Sequence, residues 1–323
     1  MSSVPRVPET TAMVPGEFGG DTAWRTIRAH RREIAVEGFR RFRYGDGFSH
    51  SRALGLQLAL TMVPLMIAAV GLASTLYMDR IGIVIRRTLL FLTPGPTDPV
   101  LRTAFEHSVA DDASQFALWV GLLFAVVAMT TGMGQVERGA NRIYGIQRDR
   151  PTLHKYSRAA YMAVISGFPA LAGYAMLIAA PTFSEAIEDV YGIDDDTVEW
   201  IALPLGAVLL LASITTMLRL SPRRRQPGWS WLALGAAVTL VLWLVFTALV
   251  ALYLSFSDRL GNVYGPLTGV VVLLLWSMLS SVAIYVGLAI CAQAEAQLAG
   301  GHRGALDDPD EDRAPAYVDQ DRG

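Results

Sequence analysis

The sequence predicts an all-α polytopic integral membrane protein with six transmembrane helices. Three observations carry that prediction. Of the 323 residues, 52% are hydrophobic and only 17% are charged, with a mean hydropathy of +0.37; soluble domains carry about 25% charged residues. Six charge-free stretches, Ala53–Met78, Ala113–Val136, Ala159–Ser184, Trp200–Leu218, Gln226–Ser257 and Leu260–Ala294, make up half of the chain, so all 27 basic and 29 acidic residues crowd into the other half. The apolar stretches are continuous rather than alternating with period two, which favours helices over barrel strands. A soluble domain does not partition its charge in this way, and that class is excluded.

About 20 helical residues cross a hydrocarbon core. The stretches therefore predict spans of about 53–78, 114–136, 159–183, 200–218, 231–256 and 267–291 within a membrane domain over 53–297. The fourth is the shortest, and Arg219 at its end can snorkel to the headgroups. Nothing before Ala53 has the apolar core of a cleavable signal, so the first span is expected to act as an uncleaved insertion signal.

The connecting segments alternate in charge. The first 52 residues, the second and fourth loops and the C-terminal tail hold 22 of the basic residues, against five in the first, third and fifth loops. The positive-inside rule then places both termini in the cytoplasm, as an even number of spans requires.

Residues 1–22 are rich in Pro, Gly, Thr and Ser and read as a disordered tail. Residues 23–52 read as an interfacial amphipathic helix, with Trp24, Ile27, Ile34 and Phe42 along one side. Arg25, Arg28, Arg31, Arg32, Arg40, Arg41 and Arg43 crowd the rest and suit anionic headgroups, with nucleic acid the lesser alternative. In the first outer loop, Ile81–Leu92 and the spacing of Val100, Leu101, Ala104, Phe105 and Val109 predict two short amphipathic helices. The third loop gathers seven acids from Glu185 to Glu199; without the Asp-x-Asp-x-Asp-Gly spacing of a Ca²⁺ loop, it reads as solvated. Tyr264, Gly265 and Pro266 form a turn before the last helix. The segment 298–323 reads as a disordered acidic tail.

Catalytic patterns do not emerge. The five His fall in different segments, without zinc-ligand spacing, and no phosphate-binding loop, nucleophile elbow or dinucleotide fingerprint is present. The chain is therefore expected not to be an enzyme and to need no cofactor or metal. No ionisable residue falls deep in a predicted span, which counts against a carboxylate proton relay. What remains is uncharged polarity. Gln57 and Thr61 in the first span, Thr130, Thr131 and Gln135 in the second, and Ser277, Ser280, Ser281 and Tyr285 in the sixth either tie helices together or line a path. Pro64 and Pro169 lie mid-span, where each removes a backbone hydrogen bond and can kink its helix.

The richest segment runs from Thr130 to Arg150, where the second helix leaves the membrane. Its small residues allow close helix approach. Glu137, Arg138 and Arg142 are expected at headgroup level, where arginine either chelates phosphate through paired donors or merely anchors the topology. The run Gln135, Glu137, Arg138, Asn141, Arg142, Tyr144, Gly145 and Arg150 resembles the central signature of the YihY/BrkB family of bacterial inner-membrane proteins. Phe48–Gly55 leading to Pro64 resembles that family's first helix, and Tyr264–Val271 with Leu273–Trp276 and Ser280–Gly287 its last. The resemblance covers about residues 24–297 and keeps six spans in order. The chain departs from it after Gly287: where many relatives carry an acidic residue and then an amide, it has Ala289 and Cys291, with Glu295 further on.

The resemblance implies a multi-pass protein of the bacterial cytoplasmic membrane with a role in envelope integrity. That role includes moving or exporting a lipid-like component, or else scaffolding envelope assembly without transport. The ribonuclease label that some relatives carry finds no support in these residues. The expected partners are membrane lipids and an envelope substrate of open identity, with no nucleic acid; a homo-oligomer is compatible with the sequence.

Overall fold

The structure is a computed structural model that describes residues 7–10, 20–75, 111–146, 150–177, 195–255, 267–299 and 303–305. Among the described residues the regular structure is helical, with no strand. Helix α1 spans Gly20–Tyr44 and α2 Gly47–Thr75. Next come α3 (Asp111–Ile143) and α4 (Thr152–Leu177), then α5 (Asp195–Leu220), α6 (Trp229–Ser255) and α7 (Leu267–Leu298). Helices α2 to α7 are each long and apolar enough to cross a membrane. This is the predicted all-α, six-span class. The first loop with its predicted short helices, most of the acidic third loop, and Tyr264, Gly265 and Pro266 lie outside the described residues.

Several helices outrun the apolar stretches that predicted them. α3 continues past Val136 to Ile143, and α7 past Ala294 to Leu298. Charge marks where hydrocarbon ends; it does not end a helix whose charged side chains find partners in the protein.

Each span packs on its neighbours in chain order, and α7 returns to α2, so the six helices close into a ring. Apolar helices in lipid gain little from the hydrophobic effect, so their association depends on close backbone approach at small residues. Glycines supply it around the ring. A Cβ on Gly121 of α3 would stand 2.5 Å from the Ala68 nitrogen of α2, and one on Gly55 of α2 2.7 Å from the Met278 Cα of α7. One on Gly287 of α7 would stand 2.5 Å from the Gly235 carbonyl oxygen of α6.

The two mid-span prolines are absorbed differently. α2 continues as one helix through Pro64. In α4 a π-turn at Ala163–Gly167 directly precedes Pro169, with the Phe168 N–H donating to the Ala163 carbonyl five residues back. A proline ring in a regular helix clashes with the carbonyl four residues earlier, here that of Ile165. The wider turn relieves the clash, so α4 carries on past Pro169.

A large buried cluster lies at the end of the ring where segments 7–10 and 303–305 dock. There Phe42, Leu54, Val136, Ile143, Met162, Leu218, Leu232 and Leu288 form one buried cluster. α1 lies against α7 at this end, its Ile34 buried with Trp231 and Ala294, and Ile27 packed beside them. The apolar side expected to face lipid thus covers the protein instead. Arg41, expected among the headgroup arginines, is 1% exposed because its face of α1 turns inward.

Pieces of both tails are docked here as well. Val7 and Thr10 are buried, and the Gly304 N–H donates to Glu37 Oε2 at 2.8 Å beside a buried Ala305. These residues fall in segments read as disordered from composition, which is blind to a partner surface on the folded ring.

The close approaches make a direct prediction. Gly121→Leu should force α2 and α3 apart and cost about 1–3 kcal/mol, as overpacking does. Thermal unfolding of the detergent-solubilised protein should show a lowered Tm, whereas Leu123→Ala on the exposed face of α3 should leave it nearly unchanged.

Candidate functional site

At the terminal end, five segments distant in sequence come together around two buried guanidinium groups. Arg41 of α1 donates through Nε to Gln293 Oε1 of α7 at 3.2 Å. Its Nη1 serves the Pro8 carbonyl at 3.2 Å, Thr10 Oγ1 at 3.0 Å and the Ile143 carbonyl at 3.2 Å. The last of these caps the C-terminus of α3, where carbonyls lack helical partners and cations are favoured. Arg224, between α5 and α6, pairs with Glu295 of α7 and donates to the Thr10 carbonyl at 3.0 Å. Its guanidinium stands 4.9 Å from the centre of the Tyr144 ring, a cation–π distance.

Burial lowers the Arg41 pKa to about 10, with the neighbouring Arg224 charge adding to the effect and Tyr144 and Glu295 opposing it. Arg41 therefore stays charged at neutral pH. Burial also pushes the Tyr144 phenol well above its ordinary range, so this side chain is a neutral donor, to Gln226 Oε1 at 3.2 Å.

The segment 7–10 acts as a strap across this layer. The Thr10 N–H donates to the Tyr144 carbonyl at 3.1 Å. Gly145 has φ +75°, and a Cβ there would stand 2.7 Å from the Glu9 Cα, so only glycine allows both the turn and the strap.

A second buried carboxylate sits beside this layer. Glu137 is fully buried and pairs with Arg150 at 3.0 Å. Arg150 also donates to the Pro222 carbonyl at 3.0 Å, and Arg158 to the Leu220 carbonyl at 3.1 Å, capping the end of α5. Asn141 Oδ1 accepts the Arg223 N–H at 2.9 Å. The signature read from sequence therefore divides by helical face. Glu137, Asn141 and Tyr144, spaced four and three apart, look into the protein, while Arg138 and Arg142 on the neighbouring stripe are exposed. Glu137 was expected at headgroup level with those arginines; its face of α3 places it inside instead. Glu295 and Arg224 were not candidates from sequence, since neither has a local pattern and each acquires its partner only through the ring.

Away from this layer the ring surrounds a cavity of about 190 Å³. Thr61 and Met62 of α2, Met129 of α3, Ser166 and Tyr174 of α4, Leu210 and Ser213 of α5, Trp243 of α6, and Trp276 and Ser280 of α7 lie along it. Its lining is overwhelmingly apolar. Tyr174, Trp243 and Trp276 form an aromatic cluster with ring centres 5.4 to 6.4 Å apart. Ser166, in the π-turn, donates to the Ser213 carbonyl at 2.8 Å, and Ser213 donates back to the Ser166 carbonyl.

The polar residues singled out from sequence part company here. Thr61 and Ser280 reach the cavity. Gln57 does not line it, because its amide binds the Ala128 carbonyl at 3.2 Å and the Thr131 hydroxyl, tying α2 to α3. Gln135 meets His50 at 3.1 Å, again joining α3 to α2. Tyr285 is buried against Gly139 and donates to the Gln135 carbonyl at 3.0 Å. Ser277 is buried away from the cavity lining. Among the described residues, no group of three or more His, Cys, Asp or Glu stands close enough to hold a metal.

Breaking a buried ion pair by removing one partner costs about 3–5 kcal/mol. Glu295→Ala and Arg224→Ala should therefore each lower the Tm strongly, and a double replacement by Met should recover most of the loss. Arg142→Ala, on the exposed stripe, should stay within about 0.5 kcal/mol of the parent.

Comparison with known proteins agrees with this architecture. The Virulence factor BrkB family model matches residues 39–311. YfkH of Bacillus subtilis (strain 168), whose name calls it ribonuclease-like, is 20% identical over 257 residues, 78% of this chain and 91% of YfkH. A UPF0761 membrane protein of Alteromonas mediterranea is 29% identical over 177 residues, 54% of this chain and 58% of its own length. One from Pseudomonas aeruginosa is 27% identical over 177 residues, 52% of this chain and 40% of its own. The chain thus spans about half the length of these UPF0761 relatives. No solved structure matches it. The family match takes in all six spans together with Arg41, Glu137, Tyr144, Arg224 and Glu295, and the chain belongs to the Virulence factor BrkB family.

Proposed function

We propose that this protein resides in the bacterial cytoplasmic membrane with both termini in the cytoplasm, and that it moves a lipid-like envelope component, contributing to envelope integrity. The observation that carries this reading is a closed ring of six apolar helices around an apolar cavity, with a packed, ion-paired layer at its terminal end. Such a lining suits hydrocarbon and offers an ion no compensating charge. The exposure of Arg138 and Arg142 supports this reading, since arginine binds phosphate through paired donors. The reading includes no enzymatic step and no cofactor, and the ribonuclease-like name stays with YfkH. A scaffold without transport is the second reading, favoured by the dense core at the terminal end and by Gln57 and Gln135 being consumed in helix–helix bonds.

Labelled phospholipids in liposomes separate the two. The purified protein should accelerate translocation over empty liposomes for at least one headgroup; no acceleration for any headgroup would leave the scaffold. Arg138→Ala with Arg142→Ala should slow that rate several-fold, while Asp195→Ala should not; equal rates would reduce both arginines to topology anchors. A reporter active only in the cytoplasm, fused after Gly323, should give signal, and activity only outside would reverse the orientation.

A further inference from the structure

Helix α1 is apolar on two sides. One side, with Ile34, Gly38 and Phe42, is buried against the ring. C-terminal to the kink at His30, the opposite side presents Arg32, Val36, Phe39 and Arg43, spaced four, three and four residues apart. All four are exposed, Val36 at 53% and Phe39 at 49%. Two apolar side chains thus stand between two arginines. The carboxylates of this part of α1 are engaged elsewhere. Glu33 Oε2 accepts from Gln297 Nε2 of α7 at 2.9 Å, and Glu37 takes both Arg40 and the Gly304 N–H. Asp46 is exposed in the turn after α1, but Arg28 and Arg31 are exposed on the helix as well, so the surface stays basic.

This stripe adjoins the outward side of a membrane span. The Phe39 ring stands 6.0 Å from that of Phe42, and Phe42 stands 4.8 Å from Phe48, the second residue of α2. Phe48 is itself exposed, and Arg52, Leu56, Leu60 and Val63 follow it along the exposed side of α2. Large exposed apolar residues on a span meet hydrocarbon, and an arginine near its end snorkels to the headgroups. Phe48 and Arg52 therefore mark the level at which α2 leaves the lipid, and α1 departs from that level. We infer that the Arg32–Arg43 face of α1 docks on an anionic lipid surface beside α2. Val36 and Phe39 insert between headgroups, while Arg32 and Arg43 pair with lipid phosphates. A second copy fits the face poorly, because a two-fold pairing of antiparallel stripes would set Arg32 against Arg43. The contact requires only that the chain spans a membrane, so it stands or falls apart from any lipid movement.

The test uses the full chain in nanodiscs, with Cys291→Ala removing the single native thiol and Phe39→Cys carrying an environment-sensitive fluorophore. One set of nanodiscs holds phosphatidylglycerol and phosphatidylcholine in equal parts, the other phosphatidylcholine alone. With phosphatidylglycerol the fluorophore should emit further to the blue and be several-fold less accessible to acrylamide. Lipids spin-labelled near the headgroup should quench it. Arg32→Gln with Arg43→Gln should return the accessibility to that in phosphatidylcholine, whereas Arg31→Gln, off the stripe, should change it little. Both stripe arginines are exposed, so the double variant should keep the parent Tm, which separates lost docking from lost fold. Equal accessibility in the two lipids would overturn the inference. Protection without spin-label quenching would also overturn it, and would assign the face to a second copy of the chain.

Discussion

The whole architecture depends on how closely neighbouring backbones approach in a solvent that gives apolar helices no reason to associate. Lipid tails solvate leucine as well as another helix does, so contact must come from shape and from hydrogen bonds. Gly121 against Ala68, Gly55 against Met278 and Gly287 against Gly235 bring successive helices together at distances that any side chain would prevent. The ring closes because such contacts recur around it. Its interior is then shaped by what lies between them: large residues fill the terminal end, while the cavity is left where Thr61, Ser166, Ser213 and Ser280 alternate with methionines and tryptophans.

Among the described residues, the buried ion pairs gather at one end. Arg41, Arg224, Glu295 and Gln293 come from α1, the α5–α6 connection and α7, and the strap at residues 7–10 closes over them. Replacing a buried ion pair by apolar residues is often neutral for stability. Its presence here is more readily understood as specification: the arginines join segments that apolar packing alone would leave free to slide. Glu137 with Arg150, and Asn141 with the Arg223 backbone, fasten the α5–α6 connection to α3 in the same manner.

Parts of the candidate site were legible in the sequence. Of the signature between Gln135 and Arg150, Glu137, Asn141, Tyr144 and Arg150 lie in or beside the terminal layer while Arg138 and Arg142 do not, and Thr61 and Ser280 line the cavity. Gln57 and Gln135 were ambiguous because an amide in a span serves equally as helix tie or path lining; their partners, Ala128 and His50, decide for the tie. Glu295 and Arg224 carried no local pattern, as each is defined by a partner 71 residues away. The segment 7–10 read as tail because composition describes the cost of ordering a chain, not the surface it meets.

From the sequence by itself came the six-span helical class, the approximate span positions and the asymmetry of basic charge between alternate loops. These depend on the free energy of moving each residue between water and hydrocarbon, which is a local property summed along the chain. Tertiary structure alone decided which face of α3 turns Glu137 inward and Arg138 outward, and which way Arg41 points. It also decided which polar side chains tie helices together, as Gln57 ties α2 to α3 and Ser166 and Ser213 tie α4 to α5. Those outcomes depend on partners that only the closed ring brings within hydrogen-bonding distance.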